Sequence, residues 1–253
     1  MYKKIYSLTL RIIYVNLCIF TVPNVTYAAM NCTSYIDPSS DPSWRNVKEG
    51  IPKLHFLAPT SAEKPNCPGA DGCETSAFLL SGDQVIVNAT GYDSKNKKTL
   101  ICGVYISPKG ITTFGWLNQE GFFGGGNFMD PIDDPKVFGD WTDKSGNDIT
   151  IKPGESGRYV VIEGDATIGP SDNPRTGFIS GPAFIGDGGK AAGYTDSHYD
   201  GAAPASTKSS EDESGCRVRL RYSGYYLFVD DNEECGGQGV SFSGIYLKKS
   251  AKK

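Results

Sequence analysis

"CRVRLRYSGYYLFVDDNEEC", residues 216–235, reads as two strands folded back on one another with a cysteine at each end. A two-residue turn at Ser223 and Gly224 sets Tyr222 opposite Tyr225, Leu220 opposite Leu227 and Val218 opposite Val229, so one face of the expected hairpin is wholly apolar. The other face then sets Arg221 against Tyr226, Arg219 against Phe228 and Arg217 against Asp230, which gives two guanidinium–aromatic contacts and one ion pair on a wet surface. Because these partners are local, the row Arg217, Arg219 and Arg221 is first a feature of the strand pair and second a candidate ligand-binding surface. A Cys216–Cys235 bridge closes the pair across "DDNEE" and contributes about 3 kcal/mol on the chain-entropy model. "DDNEECGG" lacks the alternating ligands and the glycine position of a calcium loop, so no calcium is expected there.

Working outward, "FGDWTD" opens a series of short apolar runs: Ile149 and Ile151; Tyr159, Val161 and Ile162; Ala166 and Ile168; and Phe178 to Phe184. After the hairpin, "GVSFSGIYLK" alternates Val240, Phe242, Ile245 and Tyr246 with small residues. Seven or eight short strands at turn-marked spacing predict a closed meander barrel or a small sandwich over 139–248. "GDGGKAAGYTDSHYDGAAPASTKSSEDESG", 186–215, has no apolar period and reads as a long mobile loop within it. That stretch holds Ser197, His198 and Asp200, but a triad needs groups converging on a rigid frame, so they are not assigned to catalysis.

Upstream, 62–126 holds another set of strands. "SGDQVIVNATGY" alternates Val85 and Val87, "TLICGVYISPKG" alternates Leu100, Cys102 and Val104, and "TTFGWLNQEGFF" closes the set. "FFGGGNFMDPIDDPKVFGD" has the glycine, proline and aspartate content of a linker, placed at 127–138. The fold class is therefore all-β, in two small domains, with little helix among 253 residues that include 31 Gly and 15 Pro.

Gly82, Asp83, Val85, Val87, Tyr105, Gly110, Gly115, Trp116 and Leu117 follow an order that resembles the bacterial Src-homology-3-like (SH3-like) barrel, over about 50 residues. The opening segment usual in such domains is replaced here by "CPGADGCETSAFLLSGD". Domains of this kind in exported bacterial proteins bind cell-wall peptides or other proteins, so the resemblance implies a non-catalytic binding role, with Tyr105 and Trp116 as groove aromatics or as core packing. Gly139 and Trp141 resemble the opening of lipocalin-like barrels, whose tryptophan plugs one end. From 62 to 248 the order of motifs, ending C-R-V-R-L-R, Y-Y-L-F-V-D-D-N, C-G-G and V-S-F-S-G-I-Y, is similar to exported proteobacterial proteins of unassigned function.

The N-terminus gives the address. Lys3, Lys4 and Arg11 precede an apolar run from Ile12 to Val22, then Pro23 and "TYAA", which is the layout of a signal peptide cut after residue 28. The run falls short of the roughly 20 residues that span a bilayer, so no membrane span is expected after cleavage. Residues 29–61 read as an N-terminal extension. Cleavage removes three basic residues, leaving 22 basic against 29 acidic and a net charge near −7, which disfavours a nucleic-acid partner. The basic tail 249–253 reads as a frayed end.

Six cysteines remain, an even number in an exported chain. Beside Cys216–Cys235, the residues Cys32, Cys67, Cys73 and Cys102 allow three pairings, of which Cys67 or Cys73 with Cys102 is the most natural, tying a loop to a strand. "CPGADGC" has no second CxxC, which argues against zinc, and neither a metal nor another cofactor is expected. No G-x-S-x-G, H-E-x-x-H or phosphate loop occurs, and His55 and His198 sit in no catalytic motif. The expectation is a periplasmic or secreted, non-enzymatic protein that binds peptidoglycan peptides or a protein partner, in the sharper form an inhibitor or immunity protein against a wall-degrading enzyme or toxin. The alternative is a cell-wall hydrolase using a carboxylate pair.

Overall fold

The computed structural model describes residues 31–40, 42–123, 129–196 and 215–249. Their regular structure is β-strand with two short 3-10 turns. The signal-peptide reading, the Ser197–His198–Asp200 triplet and the last four residues lie outside the described residues.

Fourteen strands form two sheets. The first sheet contains β1 (Ser43–Asn46), β2 (Leu54–Leu57), β3 (Glu74–Leu79), β4 (Gln84–Asp93), β5 (Lys98–Ile106) and β6 (Thr112–Asn118), in the order β1-β4-β5-β6-β2-β3. The segment read as an N-terminal extension thus supplies two strands. Each has four residues, "SWRN" and "LHFL", too short to show an alternation in sequence. Val85, Ile101 and Leu117 face one side with Val47, Phe56, Leu79 and Phe122, while Leu100, Cys102 and Trp116 face the other.

The second sheet is a closed antiparallel barrel of eight strands: β7 (Gly139–Thr142), β8 (Asp148–Pro153), β9 (Tyr159–Ile168), β10 (Arg175–Gly186), β11 (Ala191–Thr195), β12 (Arg217–Ser223), β13 (Tyr226–Asp231) and β14 (Gly244–Lys248). Each strand pairs with the next, and β14 closes onto β7 through Leu247↔Thr142 and Lys248↔Trp141. Of the two architectures expected for 139–248, the meander barrel is the one formed. At eight strands a barrel interior is just wide enough for side chains to fill it. Here Trp141, Ile149, Ile151, Val160, Ile162, Ile179, Leu220, Tyr222 and Tyr246 do so. Trp141 is fully buried, donates from Nε1 to Val137 O at 2.7 Å and meets Tyr222 edge-on at 5.8 Å.

Two boundaries differ from the sequence reading because packing overrides composition. Ala191–Thr195, assigned to a mobile loop, is a barrel strand hydrogen-bonded between β10 and β12. Its Ala191, Ala192, Gly193 and Tyr194 are all buried, with Ala192 and Tyr194 in the barrel core, and so many small residues hide the apolar signal. The proposed linker is likewise built into the barrel: Ile132 and Val137 are fully buried in its core, and Ile132 N donates to Gly189 O at 2.9 Å. Its prolines and aspartates shape turns, with Asp134 N donating to Pro131 O and Val137 N to Asp134 O. In β9 the inward residues are Val160, Ile162, Gly164 and Ala166, whereas Tyr159 and Val161 are only partly buried.

The hairpin forms as β12–β13 with its turn one residue further on. Gly224 and Tyr225 are the loop, and the pairs are Ser223↔Tyr226, Tyr222↔Leu227, Leu220↔Val229, Arg221↔Phe228 and Arg219↔Asp230. Gly224 has φ 52°, a left-handed value that favours glycine, so glycine takes the first loop position and not the second. Every partner moves by two residues. Since side chains alternate with period two, each keeps its face, and Val218, Leu220, Tyr222, Leu227 and Val229 still point into the core.

Cys216 and Cys235 are bonded, as expected. Asn232 secures the same end by accepting from Arg217 N at 2.9 Å and donating to Gly215 O at 2.8 Å. The chain after Cys235 crosses directly over β10 at an isolated Gly177↔Gly236 bridge. A Cβ on Gly177 would lie 2.5 Å from Cys235 O, so glycine is required there. The remaining pairs are Cys32–Cys102 and Cys67–Cys73, which corrects the expected link from Cys67 or Cys73 to Cys102. Cys102 points to the sheet face covered by Cys32, and the six-residue separation of Cys67 and Cys73 closes on itself. Three disulfides fit an oxidising compartment outside the cytosol. Among the described residues no helix is long and apolar enough to cross a membrane.

Candidate functional site

The face of β12–β13 that the sequence suggests is wet is covered. Tyr226 and Phe228, 1% and 0% exposed, pack with Ile86 of β4 and with Ile36, Ile106, Met129, Ile245 and Leu247. The hairpin therefore fastens the barrel to the first sheet. Its tip is held by Gln84 at the start of β4, whose side-chain oxygen accepts from Tyr225 N at 3.2 Å and whose carbonyl accepts from the Tyr226 hydroxyl at 3.0 Å. On the other side, Asp130 accepts from Gly224 N at 2.7 Å.

The arginine row is distributed along this joint. Arg221 is 1% exposed, and its guanidinium donates to Ser40 O at 2.6 Å and to Pro38 O, so it ties residues 38–40 across the hairpin. Arg219 stands opposite Asp230, the acid that the sequence reading gave to Arg217. Arg217 is buried beside the disulfide. Asp231, next to that pair, is also buried and accepts from Ser241 Oγ, Ser243 Oγ and Phe242 N at 2.7, 2.7 and 2.8 Å. With Arg217 and Arg221 buried, the row does not form a shared open surface for a ligand.

Tyr105 and Trp116 are not brought together. Trp116, 3% exposed, packs with Leu100, Cys102 and Cys32 on one face of the sheet. Tyr105 lies opposite Thr113 on the other face and packs at the margin of the Val85–Ile101–Leu117 cluster. Trp116 is core, whereas Tyr105 reaches a cleft.

That cleft, of about 500 Å³, opens where the hairpin tip meets the sheet and is lined by Tyr105, Tyr222, Tyr225 and Tyr226, with Asp83 and Gln84 on the sheet side and Lys136 and Lys248 beside them. Its size lies within the range of ligand-binding pockets. The Tyr222 hydroxyl is used within the fold, donating to Gly224 O at 2.6 Å. Tyr225 is 62% exposed and presents its ring to solvent. Burial pushes the Tyr105 hydroxyl up from its ordinary range, and the neighbouring Asp83 charge adds to this. Burial, followed by the Asp130 and Asp134 charges, pushes Tyr222 up to about 12. These phenols stay protonated at neutral pH; with the Tyr222 and Tyr226 hydroxyls donating inside the fold and both side chains buried, the cleft offers chiefly the Tyr225 ring and the half-buried Tyr105.

Away from this cleft, the Asn96 side chain holds the Asp93 carboxyl below the usual carboxylate range, opposite to the direction a general acid needs. Among the described residues no group of three or more His, Cys, Asp or Glu is placed to hold a metal. Of the four lining tyrosines the sequence pattern names only Tyr105; the other three lie in "YSGYYLF", which alternates core and surface and gives no sign of a tip pressed onto a neighbour. Compared with family models, curated proteins and solved structures, the chain matches none.

Proposed function

We propose that this chain is an exported, non-enzymatic binding protein of the bacterial envelope that holds a protein partner or a cell-wall peptide in the tyrosine-lined cleft. The observation that carries the reading is an opening of about 500 Å³ where the exposed Tyr225 ring and the half-buried Tyr105 stand over a wall formed by the buried Tyr222 and Tyr226. Tyrosine supplies large contact area at low conformational cost together with a polar end, which suits gripping a target. The resemblance of the first strand block to SH3-like binding domains, and the signal-peptide layout, point the same way. In its sharper form the protein is an inhibitor or immunity protein that occupies a wall-degrading enzyme or toxin.

The test is affinity capture from a periplasmic extract with the native chain and with Tyr225→Ala, alongside co-sedimentation with purified cell wall. A stoichiometric protein retained by the native chain and lost with Tyr225→Ala supports the inhibitor form, and wall co-sedimentation lost in the same way supports the wall-peptide form. Equal retention by both chains would remove the cleft from the account. Release of soluble wall fragments on incubation would replace binding with hydrolysis.

A further inference from the structure

A second hollow, of about 610 Å³, runs along the same joint and shares Ile106, Pro108, Leu247 and Lys248 with the tyrosine cleft. Its floor is apolar, with Ile36, Val104 and Ile245. Two hairpin turns flank it. The β5–β6 turn, closed by Gly110 N donating to Ser107 O at 2.8 Å, contributes Lys109; the β7–β8 turn, closed by Asn147 N donating to Asp143 Oδ1 at 2.8 Å, contributes Lys144. Both lysines are exposed, and among the described residues neither has a hydrogen-bond or ion-pair partner.

Lys248, at the end of β14, and Lys249, next after it, add two further ammonium groups; that of Lys248 donates to Lys136 O and lies 5.7 Å from the centre of the Trp141 ring. Lys249 also pairs with Asp148 at 2.7 Å, a partly exposed contact that leaves much of its charge to solvent. The carboxylate in the lining, Asp143, is occupied within its own turn, accepting from Ser145 N at 2.8 Å and from the Asn147 side chain at 3.1 Å. Four lysines, of which Lys109 and Lys144 make no side-chain contact among the described residues and Lys248 and Lys249 are partly engaged, thus stand over an apolar floor with one carboxylate, in a chain whose net charge is −4. The local charge opposes that of the whole molecule.

We propose that this groove takes an extended acidic peptide segment of a protein partner, its apolar side chains on the floor and its carboxylates between Lys109 and Lys144. The proposal rests on the binding reading of the adjoining cleft, because a segment leaving that cleft past Leu247 and Lys248 enters the groove directly. Complementary charge at an exposed rim sets partner choice and association rate, and it weakens with salt. A polyanion such as nucleic acid fits poorly, since its continuous phosphate charge would also meet the acidic remainder of the surface.

The test is selection of a random octapeptide library on the intact, disulfide-bonded chain, repeated with the double variants K109E/K144E and K109Q/K144Q. Far-ultraviolet circular dichroism confirms that each variant is folded. The native chain is expected to enrich Asp and Glu next to apolar residues, with recovery falling about tenfold on raising salt from 0.05 to 0.5 M. K109Q/K144Q is expected to lose the acidic bias and K109E/K144E to reverse it. Recovered peptides with no excess of Asp and Glu over the input library, or an excess that persists in K109E/K144E, would overturn the proposal. A partner captured through Tyr225 together with an unbiased library would refute the lysine groove and leave the tyrosine cleft standing. Acid-biased peptides dependent on Lys109 and Lys144, without capture through Tyr225, would support the groove and refute the cleft.

Discussion

The inward face of the β12–β13 hairpin, with Val218, Leu220, Tyr222, Leu227 and Val229, packs into the closed barrel, whereas its outward face, with Arg221, Tyr226 and Phe228, packs against Ile86 and residues 36–40. The inward face is uniformly apolar and needs few hydrogen bonds. The outward face mixes rings with a guanidinium, and main-chain carbonyls accept from its polar groups: Gln84 O from the Tyr226 hydroxyl, and Ser40 O and Pro38 O from the two terminal nitrogens of Arg221, whose Nε makes no hydrogen bond among the described residues. Buried charge is tolerated when its donors find such partners, and a surface that pairs charge with rings is specific about what covers it. One strand pair thus fills a domain with one side and joins two sheets with the other.

Truncating one face of the hairpin at a time is expected to have the largest effect. Leu220→Ala and Phe228→Ala each remove a fully buried side chain, and each is expected to cost about 3–4 kcal/mol in denaturant unfolding. Their signatures differ. Leu220→Ala weakens the barrel and should leave a single transition at lower denaturant, whereas Phe228→Ala loosens the joint and should separate the transitions of the two sheets, followed by tryptophan fluorescence and by far-ultraviolet circular dichroism. Coincident transitions in Phe228→Ala would show that the outward face does not couple the sheets.

The disulfides sharpen the contrast at a somewhat smaller scale. Replacing Cys216 and Cys235 by alanine opens a loop of sequence separation 19 and is expected to cost about 3 kcal/mol, while the same change at Cys67 and Cys73, separation 6, costs about 2 kcal/mol. Melting temperatures of the two double variants should fall in that order. The reverse order would mean that the hairpin is held by its two packed faces with little help from the bridge.

Alkaline titration probes both faces together. Burial pushes Tyr222 up to about 12 and pushes Tyr226 and Tyr246 up as well, whereas unfolded tyrosines ionise near 10. The folded chain therefore holds these protons more tightly than the unfolded chain. Their stabilisation is fully present below pH 10 and is lost as pH rises from 10 through about 12. Tyr226→Phe removes the outward contribution, so stability measured by urea unfolding should fall less steeply with pH over that window. An unchanged slope would place the Tyr226 hydroxyl in water.

Much of this architecture is legible in the chain. Period-two alternation identifies the inward residues of β12 and β13 even with the turn misplaced by one residue, because a two-residue shift of partner preserves the face. What alternation cannot reveal is the cover on the second face. Arg-x-Arg-x-Arg beside Tyr and Phe has the composition of a solvent-facing strand, and only the main-chain carbonyls of residues 38–40, some 180 positions away, make Arg221 a buried group. The barrel strand Ala191–Thr195 is hidden by its alanines and glycine, which suit a crowded interior but carry no hydrophobic period. Of the candidate site, Tyr105 was visible as a strand-end aromatic, while Tyr222, Tyr225 and Tyr226 join it through a contact between sheets that no local pattern encodes.

That Arg221, Tyr226 and Phe228 on the outward face of the hairpin are buried under Ile86 and residues 36–40 is the central claim, and phenylglyoxal labelling of the native chain, with site-resolved rates from mass spectrometry, tests it. Arg158 is exposed and serves as the internal standard, against which Arg221, 1% exposed, should be protected at least a hundredfold until denaturant unfolds the chain. Labelling of Arg221 in the folded protein at the rate of Arg158 would contradict the claim, and with it the joint on which both clefts depend.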